Sequence, residues 1–557
     1  MRGEGSSRRL RVAGHAFAAS ARNPAVRRLQ LGFAGACTAE WTFTVVLSVY
    51  AFNEGGAGAV GLVSLLRMLP SAVLAPFAAA LADRWRRDLV LTLVSTARCA
   101  TAAGIALIVA ADGPAVAVYA LAIASTLAAI LYRPVNSALV PLLCHTPTEL
   151  SQANVVRGLL DSVSTLVGPA IAAALLASGS TSSGFVAVAV LSGLSAAVTL
   201  QLAVEEPEHR PGRGSVVSGL LRGARVSARS PQLRILFLLL AAQTLTRGAL
   251  SVFSVLVAVD LLGMGEPGVG TLTAAVGAGA VLGSLFALMY VGNRRLATWF
   301  GAGVATWGLP LVVLAMSPGE PSALALFALI GIGNALVDVG VFTLVARLAP
   351  ERVLARVYGL LESVGALCVG AGSVLAAWLA TSTNLREAIA LVGAIGPALV
   401  LICWFPLRRL DATMVARDED LDLLRKVAVF DPLPLPALEQ LATGLQPRRV
   451  RAGEVVYAQG DAADGCFVID RGSAEVLGDG LPIATVGPGD LVGEIALLRA
   501  VPRTATVRAV TEMELRLLDA DRFVCVVTGW ESSRQVTSGH VDELLDRFAP
   551  RPLRETE

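Results

Sequence analysis

The chain has 557 residues, 55% of them hydrophobic and 16% charged, with a formal net charge of +2 and a mean hydropathy of +0.67. An ordinary soluble domain carries about 25% charged residues, so this balance excludes a wholly soluble chain and makes lipid the solvent for much of it. Lys426 is the only lysine, which removes any Gly-rich loop ending in lysine and, with it, ATP hydrolysis by a Walker-type P-loop.

Residues 1–28 form a basic arm with Arg8, Arg9, Arg11, Arg22, Arg27 and Arg28. No short apolar stretch with a cleavage site precedes the first long hydrophobic run, so no cleaved signal peptide is expected. Apolar runs of roughly 20 residues, the length of a spanning helix, then follow at 29–52, 57–81, 88–111, 114–134, 150–177 and 184–204. A polar, Arg-containing central loop occupies 205–233. The runs resume at 234–262, 267–291, 297–316, 322–346, 357–380 and 386–405, so the second set lies within 234–406. This predicts an all-α membrane bundle of about twelve helices in two six-helix halves, with Gly and Ala supplying close helix packing. Gly277, Gly279 and Gly283 read as packing notches. The seven cysteines are scattered without metal spacing and read as small buried residues.

The arginines orient the spans. Arg84, Arg86 and Arg87, the central-loop arginines, Arg294 and Arg295, Arg352 and Arg356, and Arg408 and Arg409 all fall on the side of the N-terminal arm. The opposite loops lack arginine, apart from Arg386. By the positive-inside rule both termini are expected in the cytoplasm of a multi-pass plasma-membrane protein. An internal repeat supports two halves: Gly158-Leu159-Leu160-Asp161-Ser162-Val163 returns as Gly359-Leu360-Leu361-Glu362-Ser363-Val364. Same-orientation repeats imply a pseudo-twofold axis along the membrane normal.

After a linker at 407–420, strands alternate with Gly-containing turns at Glu454 to Ala458, Cys466 to Asp470, Ala474 to Leu477, Ile483 to Val486, Thr504 to Val510 and Met513 to Leu518. Residues 421–530 are therefore expected to form a small β-roll, jelly-roll-like, with flanking helices. A C-terminal lid helix, roughly Ser532 to Phe548, and a tail fill 531–557.

Ionisable groups inside spans need a reason, because each costs roughly 2.5–3.5 kcal/mol at a helix centre. Glu40, Arg67, Arg98 and Arg247 sit about ten to thirteen residues into their spans, near mid-depth at 1.5 Å per residue. They are candidates for transport and coupling: Glu40 as a proton carrier, with Arg67 or Arg98 tuning it, or as part of a fixed ion pair. Asp338 is expected to be solvated or paired with Arg347. Asp161 and Glu362 occupy equivalent positions on the arginine-rich side and are expected to pair with the Arg84/Arg87 loop as a gate.

Ala80 to Asp88, with Asp83, Arg84 and Arg87, resembles the signature loop of the major facilitator superfamily, although Ala79 and Arg86 replace its usual glycines. Gly168-Pro169 resembles an antiporter-associated motif, with Ala172 and Ala173 in place of glycines. Asn23 to Leu29, and Arg133-Pro134 to Leu143, resemble the siderophore- and drug-exporter branch. The resemblance covers about 20–408 and implies gradient-driven transport of a small molecule, here efflux. The arginine that proton-coupled members often carry in the middle of span four is not found there.

Gly493-Glu494-Ile495-Ala496-Leu497-Leu498, followed by Pro502-Arg503-Thr504-Ala505-Thr506-Val507, resembles the phosphate-binding cassette of the cAMP receptor protein and protein kinase A regulatory subunit family. A cyclic nucleotide presents a phosphate anion and a ribose 2′-hydroxyl. A helix starting at Gly493 aims N–H groups at the phosphate. Arg503 supplies a planar fork for its oxygens, Thr504 donates to phosphate, and Glu494 accepts from the 2′-hydroxyl. The site is thus Gly493, Glu494, Ile495, Ala496, Arg503, Thr504 and Ala505. The ligand is cAMP or cGMP, with no catalytic cofactor and no metal. Few residues follow the lid helix, so no nucleic-acid-binding helix pair is expected. The four histidines (His15, His145, His209, His540) lie far apart, so no enzyme is expected. The competing reading is a membrane-anchored nucleotide sensor or interaction protein that carries nothing.

Overall fold

A computed structural model of the chain describes residues 23–82, 86–144, 147–202, 224–290, 295–349, 351–427, 429–430, 433, 438, 441–442 and 444–529. It divides into two units, Met1–Leu410 and Asp411–Glu557.

In the first unit the helices are α1 (Pro24–Ala82), α2 (Arg87–Ala110), α3 (Ala115–Ala129), α4 (Tyr132–Leu143), α5 (Pro147–Leu176) and α6 (Thr181–Thr199), then α7 (Pro231–Leu256), α8 (Gly265–Tyr290), α9 (Leu296–Met316), α10 (Glu320–Leu348), α11 (Glu351–Ser382) and α12 (Leu385–Ile402). Among the described residues, eleven segments are long and apolar enough to cross a bilayer. The first of them is bent: α1 loses helical geometry at Gly55 and Gly56, and Gly56 has φ 62°. Glycine tolerates that left-handed backbone without a Cβ penalty, so α1 is two helices and the crossings number about twelve.

The two halves pack alike. The second arm of α1 meets α11, and α5 meets α8. Small residues make these approaches close. A Cβ on Gly61 would strike Ser373 and Ala377 of α11, and one on Gly277 would strike Leu166 and Thr165 of α5. Ser373 Oγ also donates to the carbonyl of Gly61 at 3.3 Å. Gly279 and Gly283 serve as notches against Ala328 and Ile332 of α10. On the arginine-poor side, Asn53 Nδ2 donates to Glu266 Oε1 at 2.9 Å, joining the halves again.

One expectation needs correction. Span four does not end at residue 134, because helix resumes as α4 and the apolar segment runs Ala115–Leu143. Pro134 lies in the first turn of α4, where a missing N–H costs no hydrogen bond. Arg133, at the edge of the expected span 114–134, therefore lies well inside the longer segment.

In the second unit, β1 (Gln446–Val450), β8 (Met513–Asp519), β3 (Gly465–Arg471) and β6 (Leu491–Val492) form one sheet in that order. The second sheet has the order β2 (Val455–Tyr457), β7 (Thr506–Ala509), β4 (Ala474–Gly478) and β5 (Leu481–Val486). Every pairing is antiparallel. Alternate strand residues fill the core between them, including Val450, Val456, Phe467, Ile469, Val507 and Leu515. A second core packs Leu424, Phe430 and Leu441 against Cys466, Leu518 and Phe523. The stretch 407–420, expected as a linker, is helical within α13 (Trp404–Leu424). Asp420 near its end accepts from Arg516 Nε of β8 at 2.9 Å. The short helix α14 (Glu494–Arg499) and α15 (Ala520–Gly529) complete the described roll. The expected lid helix lies outside the described residues.

Candidate functional site

The cassette begins where β6 delivers the chain to Gly493, whose φ of 90° is left-handed, and α14 follows at once. Glycine is required there twice over. A side chain would strain the backbone, and a Cβ would collide with Arg503 Nη1.

Arg503 is the centre of the site, with its side chain 1% exposed. Nη1 donates to the carbonyl of Gly493 at 3.0 Å. Nη2 donates to the carbonyl of Gly465 at 2.6 Å and to Asp464 Oδ1 at 3.1 Å. The guanidinium lies 4.3 Å from the centroid of the Tyr457 ring, and that ring stacks on Phe467. The Arg503 N–H donates to the carbonyl of Asp461 at 2.9 Å, and its carbonyl accepts from Gly460. Burying a guanidinium costs several kcal/mol unless its donors are matched; three acceptors and an aromatic face offset most of that here. The Nε–H is buried and has no acceptor among the described residues. A fixed, buried cation with a spare donor is suited to an anion.

Glu494 is 3% exposed. Burial raises its carboxyl to about 7, with Asp490 pushing the same way and a backbone hydrogen bond and Arg503 opposing. Folding therefore binds a proton at Glu494 more tightly than the unfolded chain does. The stability tied to that proton is full below the ordinary carboxylate value of 4.5 and is lost as pH rises through about 7. Calorimetric melts of the nucleotide-free protein are expected to show the C-terminal transition falling between about pH 5 and about pH 7.5. Glu494→Gln should flatten that fall.

Of the remaining cassette residues, Ala496 is buried, Ile495 and Ala505 are half-buried, and Thr504 is exposed beside Arg503. Sequence reasoning missed Tyr457, Asp464 and Gly465, which hold the guanidinium. The available signals were an aromatic on a predicted strand and an Asp-Gly pair just before another, and neither announces a partner 39 residues away.

In the first unit, Glu40, Arg67 and Arg98 converge. Arg67 lies within electrostatic reach of Glu40 and Arg98. Its Nε donates to Thr126 Oγ1 at 2.8 Å, and its guanidinium sits 5.0 Å over the Phe43 ring. Arg98 is 5% exposed. Among the described residues no ion pair joins Glu40 to either arginine. Arg247 reaches the same neighbourhood from α7, 6.0 Å from the ring of Trp41. Gly168 fits against Trp41 and Thr38, and its carbonyl accepts from Thr42 Oγ1 at 3.0 Å.

Only part of the expected gate lies among the described residues. Asp161 pairs with Arg133, at 3.1 Å between Oδ1 and Nη2, with a second contact at 3.3 Å. Asp83 and Arg84 lie outside the described residues. Arg87 opens α2, and Glu362 is exposed on α11. Asp338 accepts from Asn334 at 2.9 Å and lies within electrostatic reach of Arg247, Asp161, Arg133 and Glu362. Charges from both halves thus meet.

Comparison with known proteins agrees with this division. The Major Facilitator Superfamily model matches residues 29–289 and 235–444, and the cyclic nucleotide-binding domain model matches 447–527. A cAMP-dependent protein kinase regulatory subunit of Yarrowia lipolytica is 34% identical over 116 residues, 20% of this chain and 31% of its own length. A cyclic nucleotide-gated potassium channel of Rhizobium etli is 38% identical over 101 residues, 18% of this chain and 28% of its own. The chain thus spans under a third of the length of these relatives. The solved regulatory domain of Toxoplasma gondii PKA with cAMP is 27% identical and covers 23% of this chain and 50% of that one, with a TM-score of 0.21.

Proposed function

Because this chain belongs to the Major Facilitator Superfamily and carries a cyclic nucleotide-binding domain, we propose that it is a gradient-driven exporter of a small molecule regulated by cAMP or cGMP. Neither family is enzymatic. The chain is a multi-pass membrane protein; the arginine distribution supports a plasma-membrane location with both termini in the cytoplasm.

The observation that carries the regulatory half is Arg503, a buried guanidinium fixed by Gly493, Gly465 and Asp464 with its Nε–H unmatched. The phosphate binds there, and Glu494 takes the 2′-hydroxyl. A ligand alters transport only by its different affinity for the carrier's inward- and outward-open states. The proposed route is α13, whose Asp420 is bonded to Arg516 of the roll. On the transport side, Glu40 is the proposed proton carrier, Arg67, Arg98 and Arg247 complete the central charge set, and Asp161 with Arg133, Glu362 and the Asp83–Arg87 loop form the gate.

Inverted membrane vesicles energised by a pH gradient and offered a mixed-metabolite pool test the carrier. Mass spectrometry should find at least one metabolite accumulated with the native chain and not with Glu40→Gln. Vesicles in which no metabolite is accumulated would favour a membrane-anchored nucleotide sensor instead.

A further inference from the structure

We propose that Arg67 and Arg98 form an anion subsite inside the bundle, so that the carried molecule is a small organic anion whose apolar body lies against Trp41. This rests on the carrier reading above. The central cluster of the first half sets two guanidinium groups, Arg67 and Arg98, against the Glu40 carboxylate, while the neighbouring Arg133 and Asp161 pair with each other. An unbalanced charge at mid-membrane is costly, and the protein does not balance it with a direct pair.

Arg98 is the sharper case. It is 95% buried, being 5% exposed, and among the described residues its guanidinium makes no ion pair. Arg98 shares its neighbourhood with Arg67 and Glu40, the Tyr132 hydroxyl and the Cys37 thiol. Glu40 is the one anion among these, and Arg67 shares it. Arg67 is held in place by Thr126 and Phe43, which fixes its position and satisfies Nε but supplies no negative charge. On the far side, Arg247 has Asp338 within reach, so that cation is answered and the excess stays with Arg67 and Arg98.

A carboxylate or phosphate arriving here accepts charge-assisted hydrogen bonds from planar forks. A cationic cargo would instead compete for Glu40 with two guanidinium groups already beside it. Trp41 follows Glu40 in α1 and presents a half-buried ring beside Arg247. An aromatic or aliphatic body finds its platform there.

The test is thermal unfolding of the full chain in detergent with a matched pair of probes, naphthoate and naphthylmethylammonium. Naphthoate should protect saturably and its cationic counterpart should not. Arg67→Gln should weaken naphthoate protection about tenfold or more, the size of one lost charge-assisted contact, and Arg67→Lys, which keeps the charge and loses the fork, should recover part of it. Arg98→Gln should remove it; should that variant fail to fold, the half-buried Arg67 pair of variants still decides. Preference for the cation, equal protection by both, protection by neither, or full naphthoate protection in Arg67→Gln would each overturn the anion assignment. The vesicle assay reads accumulation of any metabolite regardless of charge, so failure of this assignment and failure of the carrier reading give different results.

Discussion

Replacing Arg503 by glutamine is expected to weaken cyclic-nucleotide binding about a hundredfold and to destabilise the C-terminal unit at the same time. The binding loss follows from the ligand's charge. Two charge-assisted hydrogen bonds to a phosphate, each contributing about 1.5 kcal/mol, amount to about a hundredfold in affinity. The stability loss follows from the protein's own use of the side chain. Arg503 satisfies the carbonyls of Gly493 and Gly465 and pairs with Asp464. Leaving those carbonyls without their donor costs about 1–3 kcal/mol each, while Asp464, 80% exposed, adds little. Calorimetric titration of the full protein with cAMP and cGMP reads the first effect, and its thermal unfolding reads the second. Thr504→Ala provides the contrast: its side chain is exposed, so stability should change little while affinity falls modestly. Unimpaired binding in Arg503→Gln would remove the cassette from the account.

Gly493→Ala should be nearly as damaging, although it deletes nothing. A left-handed backbone costs a non-glycine residue about 1–2 kcal/mol. Its new methyl would also fall on Arg503 Nη1, so the guanidinium must leave the position set by Gly465 and Asp464. Nucleotide affinity should therefore drop by about the same hundredfold as in the arginine variant. Gly480→Ala is the control. Its φ is 83°, equally left-handed, but no atom lies within 4 Å of its added Cβ, so it carries the strain alone. Equal loss of affinity in both glycine variants would show that backbone strain, rather than displacement of Arg503, governs the site.

The cassette was legible because its residues are local: the turn glycine, the carboxylate and the arginine fall within residues 493–503, and their chemistry dictates the residue types. What holds the arginine was not legible, since Tyr457 and Asp464 come from β2 and the turn before β3, and only the fold of the roll brings them near. The spans were readable from apolar length alone. Their ends were less so: Pro134 looks like a helix stop but is tolerated in a first turn, so the fourth span runs on to Leu143. Strands β1 and β6 escaped notice for plain reasons. The first, Gln446–Val450, exposes four of its five residues and contains a proline, and the second has only two residues. The ion pair imagined for Glu40 required side-chain distances that no periodicity contains; the charges gather, but no direct pair forms among the described residues.

Nucleotide dependence of transport tests the central claim most directly. Initial accumulation of the transported metabolite would be measured in inverted vesicles holding the native chain or Arg503→Gln, with and without saturating cAMP or cGMP on the outer face. The account predicts a change in rate with one nucleotide in the native chain and no response to either nucleotide in the variant. A native rate indifferent to both nucleotides, in protein shown by calorimetry to bind one of them, would contradict it.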